Sequence, residues 1–147
     1  MRTIINLNQS WQFALQKTGE EKEALRFEEV TLPHDWMISA PFVRNMKQGE
    51  AQGFFDRWGT GWYRRGLTLK KEPGRIYRLR FDGIYENSQV WVNGILAGGR
   101  KYGYSSFALD VTEALADGEN RIEVKVDNTA APVDRWYTGA GIYRSVY

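Results

Sequence analysis

Cysteine is absent from this 147-residue chain, and histidine occurs once, as His34. Without cysteine there is no disulfide framework, no thiol nucleophile and no thiolate-ligated metal. One histidine is too few for a zinc site, which takes three or four nitrogen or sulfur ligands. Charge of one sign is also scarce in excess: 20 Lys plus Arg stand against 18 Asp plus Glu, a net of +2. The basic residues are spread along the chain, and no RNA-binding, zinc-finger or P-loop pattern occurs, so no nucleic-acid partner is expected. Long apolar runs are missing as well, and no membrane partner is expected. The opening Met1-Arg2-Thr3-Ile4-Ile5-Asn6 lacks the apolar core and small-residue cleavage site of a secretory signal. That leaves a cytoplasmic chain or one freed of its signal. No cofactor and no metal are expected.

What is present is aromatic. Rings make up 14% of the residues, with six Trp, within an ordinary 42% hydrophobic and 26% charged composition. A chain of this length is expected to form one domain that buries a core without staples. So many Trp exceed what one core needs, and some should lie on a surface that binds something. The densest concentration is Arg135-Trp136-Tyr137-Thr138-Gly139-Ala140-Gly141-Ile142-Tyr143-Arg144. Glycines there permit tight turns and close backbone approach. Rings and guanidinium groups offer flat amphipathic surface. The run is either an aromatic corner that plugs one end of the domain or a contact surface for a sugar or another domain.

Strand signals dominate the rest. Residues 75–82 alternate, with Tyr77, Leu79 and Phe81 on one face and Arg78, Arg80 and Asp82 on the other. Residues 121–127 repeat the pattern, with Ile122, Val124 and Val126 opposed to Arg121, Glu123, Lys125 and Asp127. Such period-2 runs mark antiparallel strands with one face buried. Leu67 and Leu69 after Trp62-Tyr63 suggest another strand, and residues 10–15 and 28–32 are weaker candidates. Residues 89–92 and 95–97 flank Asn93-Gly94, the signature of a type I′ hairpin. Asp110 and Glu113 read as N-cap and third position of a capped helical turn ending by Asp117-Gly118. Residues 17–26 are charged and read as a solvated loop or short surface helix. Residues 44–61 are long for a loop and carry Phe54, Phe55 and Trp58, which favours a binding or docking role. The sum is an all-β fold, a sandwich or jelly roll of mostly antiparallel strands.

Catalytic constellations are sparse. His34 beside Asp35 reads as a structural histidine bridging loop and strand, because sequence neighbours rarely adopt a base–orienter geometry and no nucleophile elbow is present. Of the acidic residues, Glu123 and Asp82 fall on wet strand faces, and Asp110 and Glu113 belong to the cap. Asp127-Asn128 is the one pair that ends next to the aromatic run, and it is equally ordinary turn chemistry. The residues describe a binding or docking domain and no complete enzyme.

Several short motifs occur in a telling order: Leu32-Pro33-His34-Asp35-Trp36, Gly61-Trp62-Tyr63-Arg64-Arg65, Phe81-Asp82-Gly83, Val90-Trp91-Val92-Asn93-Gly94, Asp110-Val111-Thr112, Gly118-Glu119-Asn120, Val126-Asp127-Asn128 and the run from Arg135 to Arg144. Together they resemble the N-terminal sugar-binding domain of glycoside hydrolase family two, over nearly the whole chain and most closely in its β-galactosidase-like members. The resemblance implies a galactose-binding-domain-like jelly roll over residues 1–147. It also implies an immunoglobulin-like domain and a TIM barrel downstream, the barrel carrying two Glu residues of a retaining mechanism. Neither Glu can be placed in this chain, so the fragment is expected to be inactive within a hydrolase parent, of which an oligomer is possible. The implied partners are a β-galactoside or related sugar and the downstream catalytic domain. In the family, loops of this domain reach over the barrel mouth, and the matching positions follow the Val126-Asp127-Asn128 strand. Arg135 is the first candidate for a sugar hydroxyl, since its fork of donors engages adjacent oxygens. Asp127 and Asn128 either contact the same sugar or hold the loop. Asp134 is the only acidic residue of the intervening loop, and Trp136 and Tyr137 either stack on a pyranose or pack on the barrel. Trp36, Trp62 and Trp91 are expected in the core or at the sandwich edge. Ser145-Val146-Tyr147 is expected to be the closing strand.

Overall fold

The computed structural model describes residues 1–45, 53–130 and 136–147. Eight strands occur among them: β1 (Trp11–Gln16), β2 (Glu28–Val30), β3 (Gly59–Leu69), β4 (Arg78–Phe81), β5 (Ser88–Val92), β6 (Ile95–Arg100), β7 (Phe107–Asp110) and β8 (Gly118–Asn128). One sheet has six strands in the order β2-β1-β3-β8-β5-β6, and β4 pairs with β7 in a second layer. Every pairing is antiparallel. The long β3–β8 ladder, from Gly59 opposite Asn128 to Leu69 opposite Gly118, is the spine of the large sheet.

Period-2 alternation decides which residues meet. Val90, Val92, Ile122, Val124 and Val126 project from the large sheet, and Leu79, Phe81 and Phe107 face them from the small one. Phe81 and Phe107 stack with centroids 5.2 Å apart. Trp11, Phe13, Trp36 and Tyr63 fill one side of this core and are almost wholly buried. The fold is the expected all-β sandwich of jelly-roll type.

The sequence expectations hold in outline and shift in detail. The strand expected over 75–82 is regular only over 78–81. The expected loop 44–61 is cut short, because β3 starts at Gly59. Asn93 (φ 52°) and Gly94 (φ 80°) form the hairpin turn as expected. Asn93 also accepts from the Arg121 backbone N–H and donates to Ala114 O and Asn120 Oδ1. Asp110 ends β7, a strand the sequence did not reveal, and accepts from Thr112 N at 3.0 Å. The chain then makes the expected capped turn, with Leu115 N bonded to Val111 O, and it does not continue as a helix before Gly118. Lys22–Ala24 is a short 3₁₀ turn within the charged segment. Ser145-Val146-Tyr147 closes the sandwich beside β4, exchanging both backbone bonds between Tyr147 and Arg80. It pairs there only as a bridge, Phe81 opposite Val146.

Candidate functional site

Loops that follow β8 and precede β3 and β5 meet at one end of the sandwich. Residues 139–142 are the keystone. On one side, His34 N and Trp36 N donate to Ile142 O and Ala140 O. On the other, Gly141 exchanges both backbone bonds with Tyr85, at 2.8 and 2.9 Å. Gly141 has φ +125°, and a Cβ there would lie 2.4 Å from the Tyr63 hydroxyl and 2.6 Å from His34 O. Only glycine fits.

Asp35 locks this segment. Its Oδ1 accepts from Met37 N (2.9 Å) and Ala140 N (3.0 Å), and its Oδ2 accepts from the Tyr137 hydroxyl (2.5 Å). Burial first, and then the adjoining carboxylate, hold the Tyr137 phenol far above its usual pKa, so it remains a donor. Behind Asp35, His34 Nδ1 lies 2.8 Å from the Tyr63 hydroxyl. Desolvation lowers the His34 pKa and raises that of Tyr63, so both are neutral at pH 7. His34 is thus a structural histidine bridging loop and strand, as expected. Asp35 has a different task from orienting it.

Around this lock runs a belt of rings. Phe42 and Phe55 stack at 5.1 Å, and Phe55 meets Tyr137 edge-on at 5.8 Å. Trp136 donates its Nε1 to the Tyr104 hydroxyl at 2.8 Å. Tyr104 in turn lies 5.3 Å from Tyr85 and 5.7 Å from Tyr102. Phe42, Tyr102 and Trp136 are 74, 63 and 56% exposed, so the belt presents ring surface outward.

The sequence-derived site residues divide. Trp136 and Tyr137 lie in the belt, with Tyr137 tied to Asp35. Asp127, at the end of β8, spends Oδ1 on the Thr129 hydroxyl and backbone N–H (2.7 and 3.2 Å), and Lys125 Nζ lies 4.0 Å from Oδ2. It holds the start of the loop. Asn128 is 3% exposed and points inward, with no partner for Nδ2 among the described residues. Arg135 and Asp134 lie outside the described residues. Trp36 is core, donating Nε1 to Arg57 O at 2.8 Å. Trp62 and Trp91 stand on the outer face of the large sheet, apart from the core. The sequence did not mark Phe42, Tyr102 and Tyr104 for the belt. A surplus of aromatics was the only signal for them. Among the described residues no cluster of three or more His, Asp or Glu side chains is placed to hold a metal.

Sequence and fold comparisons fit this architecture. The family profile described as glycosyl hydrolases family 2, sugar binding domain, matches residues 4–147. A β-galactosidase of Bacteroides ovatus is 45% identical over 118 residues, covering 79% of this chain and 14% of that protein. A β-glucuronidase of Formosa agariphila is 29% identical across 99% of the chain and 17% of its own length. The crystal structure of a β-glycosidase from Bacteroides vulgatus superposes with a TM-score of 0.81 at 36% identity, over 97% of this chain and 19% of that one. The chain belongs to the family 2 glycosyl hydrolase sugar-binding domains. It spans about one seventh of the length of the Bacteroides ovatus relative.

Proposed function

We propose that this chain is the non-catalytic N-terminal domain of a retaining glycoside hydrolase of β-galactosidase type. It packs its aromatic end against the catalytic barrel and helps shape the sugar subsite. In this reading residues 1–147 form a single jelly-roll domain, with immunoglobulin-like and TIM-barrel domains following. The belt is the observation that carries the reading. Its polar tips are already engaged within the domain, by Tyr104 for Trp136 and Asp35 for Tyr137, which leaves ring faces for a dry partner surface. Arg135 and Asp134 immediately precede Trp136 in the sequence. Arg135 is the proposed sugar ligand, and Trp136 and Tyr137 pack on the barrel.

Nitrophenyl β-galactoside hydrolysis tests the proposal. The purified 147-residue chain is expected to show no turnover and the longer gene product to show it; turnover by the fragment alone refutes the reading. In the longer protein, Arg135→Ala is expected to lower kcat/KM at least about tenfold, as a lost transition-state contact does. An unchanged kcat/KM would reduce the domain to a support. The β-glucuronidase likeness favours a second reading, a glucuronidase parent. Preference for nitrophenyl glucuronide over galactoside would select it.

A further inference from the structure

The outer face of the six-stranded sheet carries a feature that the core does not require and the aromatic belt does not include. Gly61 and Tyr63 face inward on β3, and Val90 and Val92 face inward on β5, so Trp62 and Trp91 project to the opposite side. The two strands flank β8, on which Trp62 is opposite Lys125 and Trp91 is opposite Glu123. The indoles nevertheless approach to 6.0 Å between centroids with planes only 29° apart. Both therefore lean across β8 toward each other. Leu96, the β6 partner of Trp91, is 55% exposed and extends the apolar strip toward the sheet edge.

The chemistry around the strip selects what it can hold. Lys22 and Arg121 both pair with Glu123, at 3.7 and 3.1 Å, and Lys125 is 4.0 Å from Asp127. Register also puts Arg64 and the exposed Glu29 and Glu119 on this face, so Lys22, Arg64, Arg121 and Lys125 stand against Glu29, Glu119, Glu123 and Asp127, and the balanced face offers little field to draw a polyanion. Neutral amides sit beside the rings. Gln16 Oε1 accepts from Trp62 Nε1 at 2.8 Å, and Gln89, two residues before Trp91, is exposed on the same face of β5. The Lys22 ammonium lies 3.9 Å from the Trp62 centroid and covers that ring, which makes the half-buried Trp91 the principal ring of the strip. Flat apolar rings framed by amides and neutralised charges match a ligand with apolar C–H faces and many uncharged hydroxyls.

We propose that the outer face of the six-stranded sheet, centred on Trp91 with Trp62 and Leu96 beside it, binds an uncharged oligosaccharide laid across β3, β8, β5 and β6. This site is separate from the sandwich end and does not depend on the parent enzyme. The probes are β-1,4-galactohexaose and cellohexaose, with hexagalacturonate as the charged control, titrated calorimetrically into the 147-residue chain. Saturable binding of at least one neutral hexasaccharide is expected. Trp91→Ala should weaken it at least about tenfold. Trp91→Phe, which keeps a flat ring on the strand and guards against loss of fold, should weaken it several-fold. Trp136→Ala, in the belt, should leave it unchanged. Failure to bind either neutral chain, or a preference for hexagalacturonate, overturns the proposal. So does binding that survives Trp91→Ala but is lost in Trp136→Ala, which would move the glycan to the belt.

Discussion

Replacing Asp35 tests whether the keystone segment is held by an acceptor in the right place or by a negative charge. Three donors converge on this side chain, two of them backbone N–H groups of the buried residues Met37 and Ala140, both on Oδ1. Asp35→Ala strands these two donors. An unsatisfied buried donor costs about 1–3 kcal/mol, while the half-exposed Tyr137 hydroxyl recovers a water partner at little cost. Because residues 139–142 can shift slightly toward solvent, the two penalties will not add in full. We expect about 2–4 kcal/mol, a fall in Tm of roughly 6–12 °C for a chain of this size. Asp35→Asn is the informative control. Its carbonyl oxygen can occupy the Oδ1 position and keep both backbone donors, while its amide can donate to the Tyr137 oxygen in place of the lost acceptor. Only charge assistance disappears, so a loss of about 1 kcal/mol is expected. Urea unfolding at pH 7 followed by Trp fluorescence measures both. Equal destabilisation by the two variants would show that charge, and not acceptor position, holds the segment, and the argument would fail.

Two further outcomes follow from the same region. His34 is the only histidine and its folded pKa is lowered by burial, so on acidification the unfolded chain takes up this proton first. Its contribution is therefore complete above the unfolded value of about 6.5 and is lost as pH falls from there through the folded pKa. The urea midpoint should drop between pH 7.5 and 5.5, and His34→Gln should flatten that drop; an equally steep variant would acquit His34. Gly141→Ala forces a Cβ into the Tyr63 hydroxyl at a left-handed φ and should cost more than about 3 kcal/mol. A urea midpoint within error of wild type would contradict the geometry.

Alternation made the paired core of the sandwich readable. Ile122, Val124 and Val126 face inward as their spacing requires, and Asn93-Gly94 turns where a type I′ pair should. β7 was obscured because its four residues, Phe107-Ala-Leu-Asp, offer too short an alternation and end on a cap-like Asp. The start of β3 was obscured for another reason. Two glycines in Gly59-Thr-Gly weaken its strand signal, and position 61 takes glycine because a Cβ there would lie 2.4 Å from the Trp36 ring. That constraint is tertiary and leaves no periodic trace. The site was legible only in part. Trp136 and Tyr137 advertised themselves by density, whereas Phe42 and Tyr104 join them from loops 94 and 32 positions earlier than Trp136. Asp35 looked like a companion of His34, and its true partner, Tyr137, is 102 residues away.

The bridge that closes the sandwich has a consequence for biosynthesis. Leu7 N bonds to Val146 O, Val146 N bonds to Asn8 Oδ1, and Tyr147 exchanges bonds with Arg80. On the ribosome, β1 and β3 wait for β8, and the small layer waits for residues 145–147, before either is complete. Non-local pairing of this kind slows folding and leaves apolar edges unprotected while the chain emerges. Translation arrested before residues 145–147 leave the ribosome should yield a nascent chain that proteases cut and chaperones hold, and emergence of those three residues should be the event that makes the domain resistant.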